Sequence, residues 1–199
     1  MRRYLLAACL LLLLMPSVVQ AETEFDIKTG YFMPTDNAMD DMYGTGAVIA
    51  GDLIYWFDNL GMGIGLDYWK QDGTPVTIMD GSISVLEASS EMEIVSLTLT
   101  ALYRFNPTQK VKPYVGAGLG SYYAKENSSV TTNYSTTSFS GSDTALGVHI
   151  LAGVDMELSE SISFFLEAKL SGATVDASGG LGGEDADIGG FTIFAGIRF

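Results

Sequence analysis

The last eleven residues, 189–199, alternate between apolar and other side chains up to the terminal carboxylate. The apolar positions are every second residue: Phe191, Ile193, Ala195, Ile197 and Phe199. Because successive side chains of a β-strand point to opposite faces, these residues form one unbroken apolar row. The pattern predicts a strand with an entirely apolar face, which either the core of a soluble β-sandwich or lipid must cover.

Seven further runs in the chain show the same two-residue period. They cover about residues 25–33, 46–57, 61–70, 91–105, 112–124, 146–156 and 162–170. None of them keeps the 3.6-residue period of an amphipathic helix, so each is predicted to be a β-strand. Together with the last run they give eight strands.

The connections between the runs alternate in length. Those between runs 2 and 3, 4 and 5, and 6 and 7 are short, whereas residues 34–45, 71–90, 125–142 and 171–188 are long, polar and acidic. Short turns on one side and long loops on the other are typical of bacterial transmembrane barrels. We therefore predict an all-β fold: an eight-stranded antiparallel transmembrane β-barrel, an up-and-down meander with short periplasmic turns and long external loops.

Residues 1–21 have the features of a secretory signal peptide. Arg2 and Arg3 precede an apolar core over residues 5–15, and Ala21 marks the expected cleavage site. The domain division is therefore a signal peptide over 1–21 and an outer-membrane β-barrel domain over 22–199. The single cysteine, Cys9, lies in the signal, so no disulfide or thiolate site is expected in the mature chain.

The mature chain is strongly acidic, with eight Lys and Arg against 24 Asp and Glu. This balance argues against nucleic acid as a partner. The acids of the second and fourth loops could bind divalent cations, but no spacing matches a calcium loop, and a solvated acidic face is the preferred interpretation. No metal and no cofactor are predicted.

Aromatic residues are expected at two levels, as in the interfacial girdles of membrane proteins. The predicted periplasmic level is Phe25, Tyr55, Phe57, Tyr103, Phe105, Tyr114 and Phe199. The predicted outer level is Tyr31, Phe32, Tyr68, Trp69, Tyr122 and Tyr123.

The charged positions of the strands are expected to face the barrel interior. A basic side chain facing lipid at mid-membrane costs roughly 2 to 4 kcal/mol, so the apolar rows must point outward. The predicted interior ionic network is Asp26, Lys28, Asp52, Asp67, Arg104, His149, Asp155, Glu167, Lys169 and Arg198. Since the interior of an eight-stranded barrel is just wide enough for side chains, we expect a polar plug of ion pairs with trapped water. Asp52, Asp67, Arg104, Glu167 and Lys169 are expected to pair with one another.

Two segments carry a family resemblance. Residues 112–120 (KPYVGAGLG) are similar to the PYVGAG strand of the small outer-membrane β-barrel superfamily, which includes OmpA-type transmembrane domains and OmpX-like, OmpW-like and opacity-like proteins. Residues 195–199 (AGIRF) resemble its closing strand. The resemblance implies a location in the outer membrane among lipids and lipopolysaccharide, and insertion by the barrel-assembly machinery. It also implies that Phe191, Ile193, Ile197 and Phe199 form a C-terminal assembly signal. A monomer is expected.

Enzymatic function is not favoured. His149 is the only histidine, and residues 149–151 (HIL) lack the serine of the His-x-Ser pair that lipid A deacylase-like barrels carry. We interpret His149 as an interior polar residue bonded to a carboxylate. The preferred function is therefore a structural, adhesive or interaction role in the cell envelope, and the alternative is a narrow OmpW-like channel for small solutes or ions. A lipocalin-like soluble carrier would need the reverse polarity, apolar inside and polar outside.

Overall fold

The computed structural model describes residues 21–80, 83–132, 134–175 and 186–199. Most of the predicted signal peptide lies outside these residues. The elements are β1 (Ala21–Pro34), α1 (Asn37–Tyr43), β2 (Gly46–Phe57), β3 (Leu60–Asp72), β4 (Val76–Asp80), β5 (Ile83–Arg104), β6 (Val111–Thr132), β7 (Thr136–Ser159), β8 (Ile162–Val175), β9 (Ala186–Asp187) and β10 (Gly190–Arg198). No helix in the described ranges has the length and hydropathy needed to cross a membrane.

Eight of these strands form a closed ring. β1, β2, β3, β5, β6, β7, β8 and β10 pair in this order, each antiparallel to the next, and β10 pairs back onto β1. At the closing seam Asp26 lies opposite Arg198, and Pro34 lies opposite Gly190. The prediction of an eight-stranded antiparallel meander is confirmed.

Short turns and the two ends of the described chain lie at one end of the barrel. β2 and β3 are joined by residues 58–59, β5 and β6 by 105–110, and β7 and β8 by 160–161. Asp58 (φ 55°) and Asn106 (φ 50°) supply the left-handed backbone in two of these turns, a conformation in which Asp and Asn are enriched. We call this the turn end and the opposite end the loop end.

The barrel wall separates apolar from charged side chains. Ile64 and Leu119 are 56% and 65% exposed on the outer surface, whereas Asp26 and Asp155 are fully buried inside. This polarity is the reverse of a soluble carrier and is typical of a barrel whose outer band contacts lipid.

Three strands extend far beyond the membrane-spanning part. β5, β6 and β7 have 22, 22 and 24 residues, about twice the 9 to 11 that span a membrane. The long external connections predicted at 71–90 and 125–142 are present, and β4 and the strand continuations occupy most of their residues. We call the sheet formed by β4 and residues 83–91, 126–132 and 136–141 the loop-end extension.

The first predicted loop, residues 34–45, contains the helix α1. The Asp36 carboxylate caps its N-terminus by accepting a hydrogen bond from the Met39 backbone N–H at 2.9 Å, and Gly44 (φ 64°) ends it. Met39 and Tyr43 are buried. α1 therefore packs at the loop end of the barrel.

The aromatic levels were predicted correctly only in part. Phe32, Trp69, Tyr114 and Tyr122 are buried, and the alternation of their strands points them to the inner face. Residues on the outer phase, such as Tyr31, Tyr55, Tyr68, Tyr103 and Tyr123, are exposed. Side-chain phase, more than distance along the strand, decides whether a ring faces lipid.

Candidate functional site

The charged residues of the interior form two clusters, which we place by their distance from the turn end. Each cluster combines inward-facing residues from strands on opposite sides of the barrel, so its members are far apart in sequence. The turn-end cluster contains Glu22, Glu24, Asp26, Arg104, Asp155 and Arg198. The mid-barrel cluster contains Lys28, Asp52, Asp67, Glu167 and Lys169.

Arg198 is the best-connected cation of the turn-end cluster. Its Nε and Nη2 donate to the two carboxylate oxygens of Asp26 at 2.8 and 2.7 Å, and its Nη1 donates to Asp155 Oδ2 at 3.0 Å. Its Nε also lies 3.3 Å from Glu24 Oε2. A two-pronged guanidinium–carboxylate pair fixes both groups in one orientation.

Glu24 joins the two arginines of the turn-end cluster. Arg104 Nη1 donates to Glu24 Oε1 at 2.8 Å, and its Nη2 donates to Glu22 Oε2 at 2.9 Å. The Glu24 carboxylate also accepts a hydrogen bond from Trp56 Nε1 at 2.5 Å. Glu24 is therefore a buried carboxylate shared by Arg104, Arg198 and Trp56.

Aromatic rings pack against the guanidinium groups. Arg104 lies 4.3 Å from the centroid of the Trp56 ring, and Arg198 lies 5.2 Å from Tyr114 and 5.0 Å from Phe165. Such cation–π contacts stabilise charges removed from water. Large rings fit here because facing glycines leave room; a Cβ on Gly61, for instance, would lie 2.7 Å from the Trp56 ring.

The mid-barrel cluster contains two lysines, each paired with carboxylates. Lys28 Nζ lies 2.5 Å from Asp52 Oδ2 and donates to Glu167 Oε1 at 2.8 Å. Tyr114 Oη donates to Glu167 Oε2 at 3.0 Å, which places Tyr114 between the two clusters. Lys169 pairs with Asp67.

The structure places Arg104 and His149 with partners other than the expected ones. Arg104 contacts Glu22 and Glu24, not the carboxylates of the mid-barrel cluster. His149 Nε2 is 2.9 Å from Thr100 Oγ1, so a hydroxyl takes the place of the expected carboxylate. The other eight residues of the predicted network lie in the two clusters.

Sequence reasoning missed Glu22 and Glu24. Both continue the even-numbered phase of Asp26 and Lys28, and extending the first strand toward Ala21 would have placed them inside. No comparable signal identified Trp56 as a platform for Arg104, because that contact depends on the pairing of strands distant in sequence.

Apolar side chains close the loop end above the clusters. Phe32, Met39, Tyr43, Trp69, Ile188 and Phe194 belong to one buried group, which includes residues of α1 and of all eight barrel strands. Below it lies a cavity of about 30 Å³, lined by Asp67, Trp69, Tyr122 and Lys169 among others. This volume is close to that of one water molecule. We call the buried apolar group that contains Phe32, Met39 and Trp69 the loop-end cover.

Chemistry other than charge pairing finds little support in the described residues. They contain no group of three or more His, Asp or Glu side chains placed to hold a metal ion. The hydroxyl beside His149 Nε2 is that of Thr100, not that of a serine.

The C-terminal strand presents its apolar row outward. Phe191, Ile193 and Phe199 are 36%, 50% and 53% exposed, and Ile197 is partly exposed. Phe199 also exchanges two backbone hydrogen bonds of 3.0 Å with Phe25. The last residue thus takes part in ring closure.

Comparisons with known proteins agree with this geometry. A family model described as outer membrane protein beta-barrel domain matches residues 5–199. Neisserial surface protein A (NspA) is 16% identical, with a TM-score of 0.59 over 89% of this chain and 97% of that chain. OprG from Pseudomonas aeruginosa is 15% identical, with a TM-score of 0.50 over 88% and 94%. No curated protein sequence matches the chain significantly.

Proposed function

Because the chain belongs to the outer membrane protein beta-barrel family, we propose that it is a plugged, non-conducting barrel with a structural, adhesive or other interaction role at the cell surface. The protein lies in the outer membrane, with its outward apolar rows against lipid. In barrels of this class the short turns face the periplasm, so the turn end faces the periplasm and the loop end faces the exterior.

The observation that carries the proposal is the packing of side chains along the interior. Four groups of side chains follow one another from the loop end to the turn end. They are the loop-end cover with Trp69 and Phe194, the mid-barrel cluster, the turn-end cluster and the apolar group around Trp56. An eight-stranded barrel leaves an interior only about as wide as its side chains. This packing supports a plugged barrel over a water-filled pore.

The alternative is a narrow OmpW-like channel. Its water path would have to pass Asp52, Arg104 and Glu167, and each of these side chains is held in a salt bridge with an inward partner. Opening the path would separate buried opposite charges, which is strongly unfavourable. This cost favours the plugged barrel.

Several further roles belong to the same proposal. Residues 1–21 serve as a cleaved signal peptide, and residues 22–199 form the barrel domain. The barrel-assembly machinery recognises the outward row Phe191, Ile193, Ile197 and Phe199 during insertion. The folded protein is a monomer surrounded by outer-membrane lipids and lipopolysaccharide, and it has no catalytic activity.

A liposome-swelling assay tests the proposal. The mature chain is refolded into liposomes, folding is checked on unboiled gels, and swelling is followed in isotonic arabinose. We expect liposomes that contain the folded protein to swell at the same rate as protein-free liposomes. Swelling that increases with the amount of folded protein would favour the channel.

A further inference from the structure

The two faces of the loop-end extension differ in their content of apolar side chains. On the face that continues the barrel interior, Val76 lies opposite Ala88, and Ala88 lies opposite Val130. Six apolar side chains lie on this inner face, and we call them the apolar stripe: Val76, Ile78, Leu86, Ala88, Val130 and Phe139. The hydroxyl side chains of Ser90, Ser128, Thr132 and Thr137 lie beside them on the same face. The outer face over the same stretch carries hydroxyl and carboxylate groups: Thr77, Glu87, Ser89, Ser129, Thr131, Thr136 and Ser138.

The apolar stripe lies outside the membrane. Tyr68 and Tyr123 belong to the outer aromatic level, and both are cross-strand neighbours of Val95. Ala88 lies seven residues from Val95 along β5, on the side away from the membrane. In the part of the chain that the structure describes, Val76, Ile78 and Phe139 are 55%, 53% and 59% exposed to solvent. Apolar side chains that a sheet face exposes to water are typical of an interaction site.

The loop end that carries this stripe is rich in carboxylates. α1 adjoins its base, where the Thr74 backbone N–H donates to the Met42 carbonyl at 2.8 Å, and Asp40 and Asp41 of α1 are exposed. Across the described loop end, two lysines, Lys70 and Lys125, are outnumbered by eleven acids: Asp36, Asp40, Asp41, Asp72, Asp80, Glu87, Glu91, Glu93, Glu126, Asp143 and Asp187. Glu91 already holds Lys70 at 2.9 Å, and this hydrogen bond raises the pKa of Lys70.

We infer that the apolar stripe docks an amphipathic, positively charged polypeptide segment of a partner protein. Apolar side chains of the partner would cover residues such as Ile78 and Phe139, while its lysines or arginines would meet carboxylates such as Asp40 and Asp41. The acidic surroundings disfavour an anionic lipid. The inference rests on the proposed function, which places the interactions of the protein at its loop end.

The test uses a synthetic peptide as the probe. A fluorescein-labelled amphipathic helix of about 14 leucines and lysines is titrated with the mature chain in phosphatidylcholine nanodiscs, and binding is followed by anisotropy. Empty nanodiscs give the background from the bilayer. Two further peptides carry glutamate in place of lysine or serine in place of leucine.

Matched variants locate the binding site. Ile78→Ser with Phe139→Ser alters the stripe, whereas Thr77→Ala with Ser138→Ala alters the outer face of the same strands. We expect the leucine–lysine peptide to bind wild type at least about tenfold more tightly than either control peptide. The stripe variant should lose about tenfold in affinity, while the outer-face variant should bind like wild type.

Several outcomes would overturn the inference. They are no binding above empty nanodiscs, equal binding by both variants, or preferential binding of the glutamate peptide or of anionic phospholipid vesicles. A dimer seen by ultracentrifugation that only the stripe substitutions dissociate would assign the stripe to a second copy. A folded, non-permeable barrel that binds no peptide would refute this inference alone, whereas solute permeation would refute the proposed plug.

Discussion

Arg198 and Asp26 are paired twice at the seam where the barrel closes. Their backbones are cross-strand partners of β10 and β1, and Arg198 Nη2 donates to Asp26 Oδ2 at 2.7 Å inside the wall. The first and last strands are thus joined by a buried ion pair as well as by the hydrogen bonds of the sheet. This relationship ties ring closure to the filling of the interior.

Replacing Arg198 by methionine should strongly destabilise the barrel. The substitution Arg198→Met leaves Asp26 and Asp155 without their main cationic partner, and breaking a buried pair costs about 3 kcal/mol or more. Urea unfolding of the refolded protein, followed on unboiled gels, measures the loss. Lys70→Met is the matched control, because the Lys70–Glu91 pair is exposed, and its unfolding midpoint should not change. Equal midpoints for the two variants would contradict the prediction.

The two carboxylates on Arg104 should differ in importance. Glu24 is buried and shared with Trp56 and Arg198, whereas the Glu22 side chain is 58% exposed. We expect Glu24→Gln to lower the free energy of unfolding by about 1 to 3 kcal/mol and Glu22→Gln by less than about 0.5 kcal/mol. The same urea experiment measures both. A larger effect at Glu22 would show that Glu24 does not hold the cluster together.

The docking of α1 should depend on Tyr43 and on pH. Burial raises the pKa of Tyr43, whose hydroxyl donates to Glu126 Oε1 at 2.9 Å. An undocked tyrosine ionises at about pH 10, whereas the docked Tyr43 keeps its proton at that pH. Docking of α1 should therefore be at full strength below about pH 10 and weaken above it. Proteinase K cleavage within residues 36–44 measures docking.

Tyr43→Phe is the matched variant for this experiment. It should be cleaved roughly fivefold faster at neutral pH, since about 1 kcal/mol of hydrogen bonding is lost. It should also lack the additional increase in cleavage above about pH 10. A wild-type cleavage rate in the variant would argue against the role of this hydrogen bond.

Deleting Phe199 should impair assembly in cells. The deletion removes both 3.0 Å backbone hydrogen bonds to Phe25 and the last ring of the outward row. We expect several-fold less folded protein in outer-membrane fractions, while Phe199→Tyr, which keeps the aromatic ring and the backbone, should assemble like wild type. Normal surface levels of the truncated chain would refute the assembly-signal hypothesis.

The membrane-spanning part of the fold was predictable because lipid imposes a strict alternation. Every second residue on each strand must be apolar, and this pattern identified the strands, their number and their order. The loop-end extension was not predictable in this way. Its polar outer face carries short hydroxyl side chains, such as Ser89 and Ser129. These residue types are as typical of a loop as of a strand.

The candidate site was predictable in most of its membership but only in part of its pairing. The phase along each strand brought Asp26, Lys28, Glu167 and Arg198 inside, but which charges meet depends on the stagger between strands. Arg104 and Glu24 are 80 residues apart in sequence, and their contact arises only when β1 and β5 are aligned around the ring. Register of this kind is a property of the closed sheet.

Single-channel conductance of the refolded mature chain in planar bilayers tests the filled interior most directly. A porin of known conductance serves as the positive control for insertion, and unboiled gels confirm that the sample is folded. We expect a silent bilayer after insertion, since paired side chains and the loop-end cover occupy the barrel interior. Discrete, reproducible steps from the folded wild-type protein would contradict it.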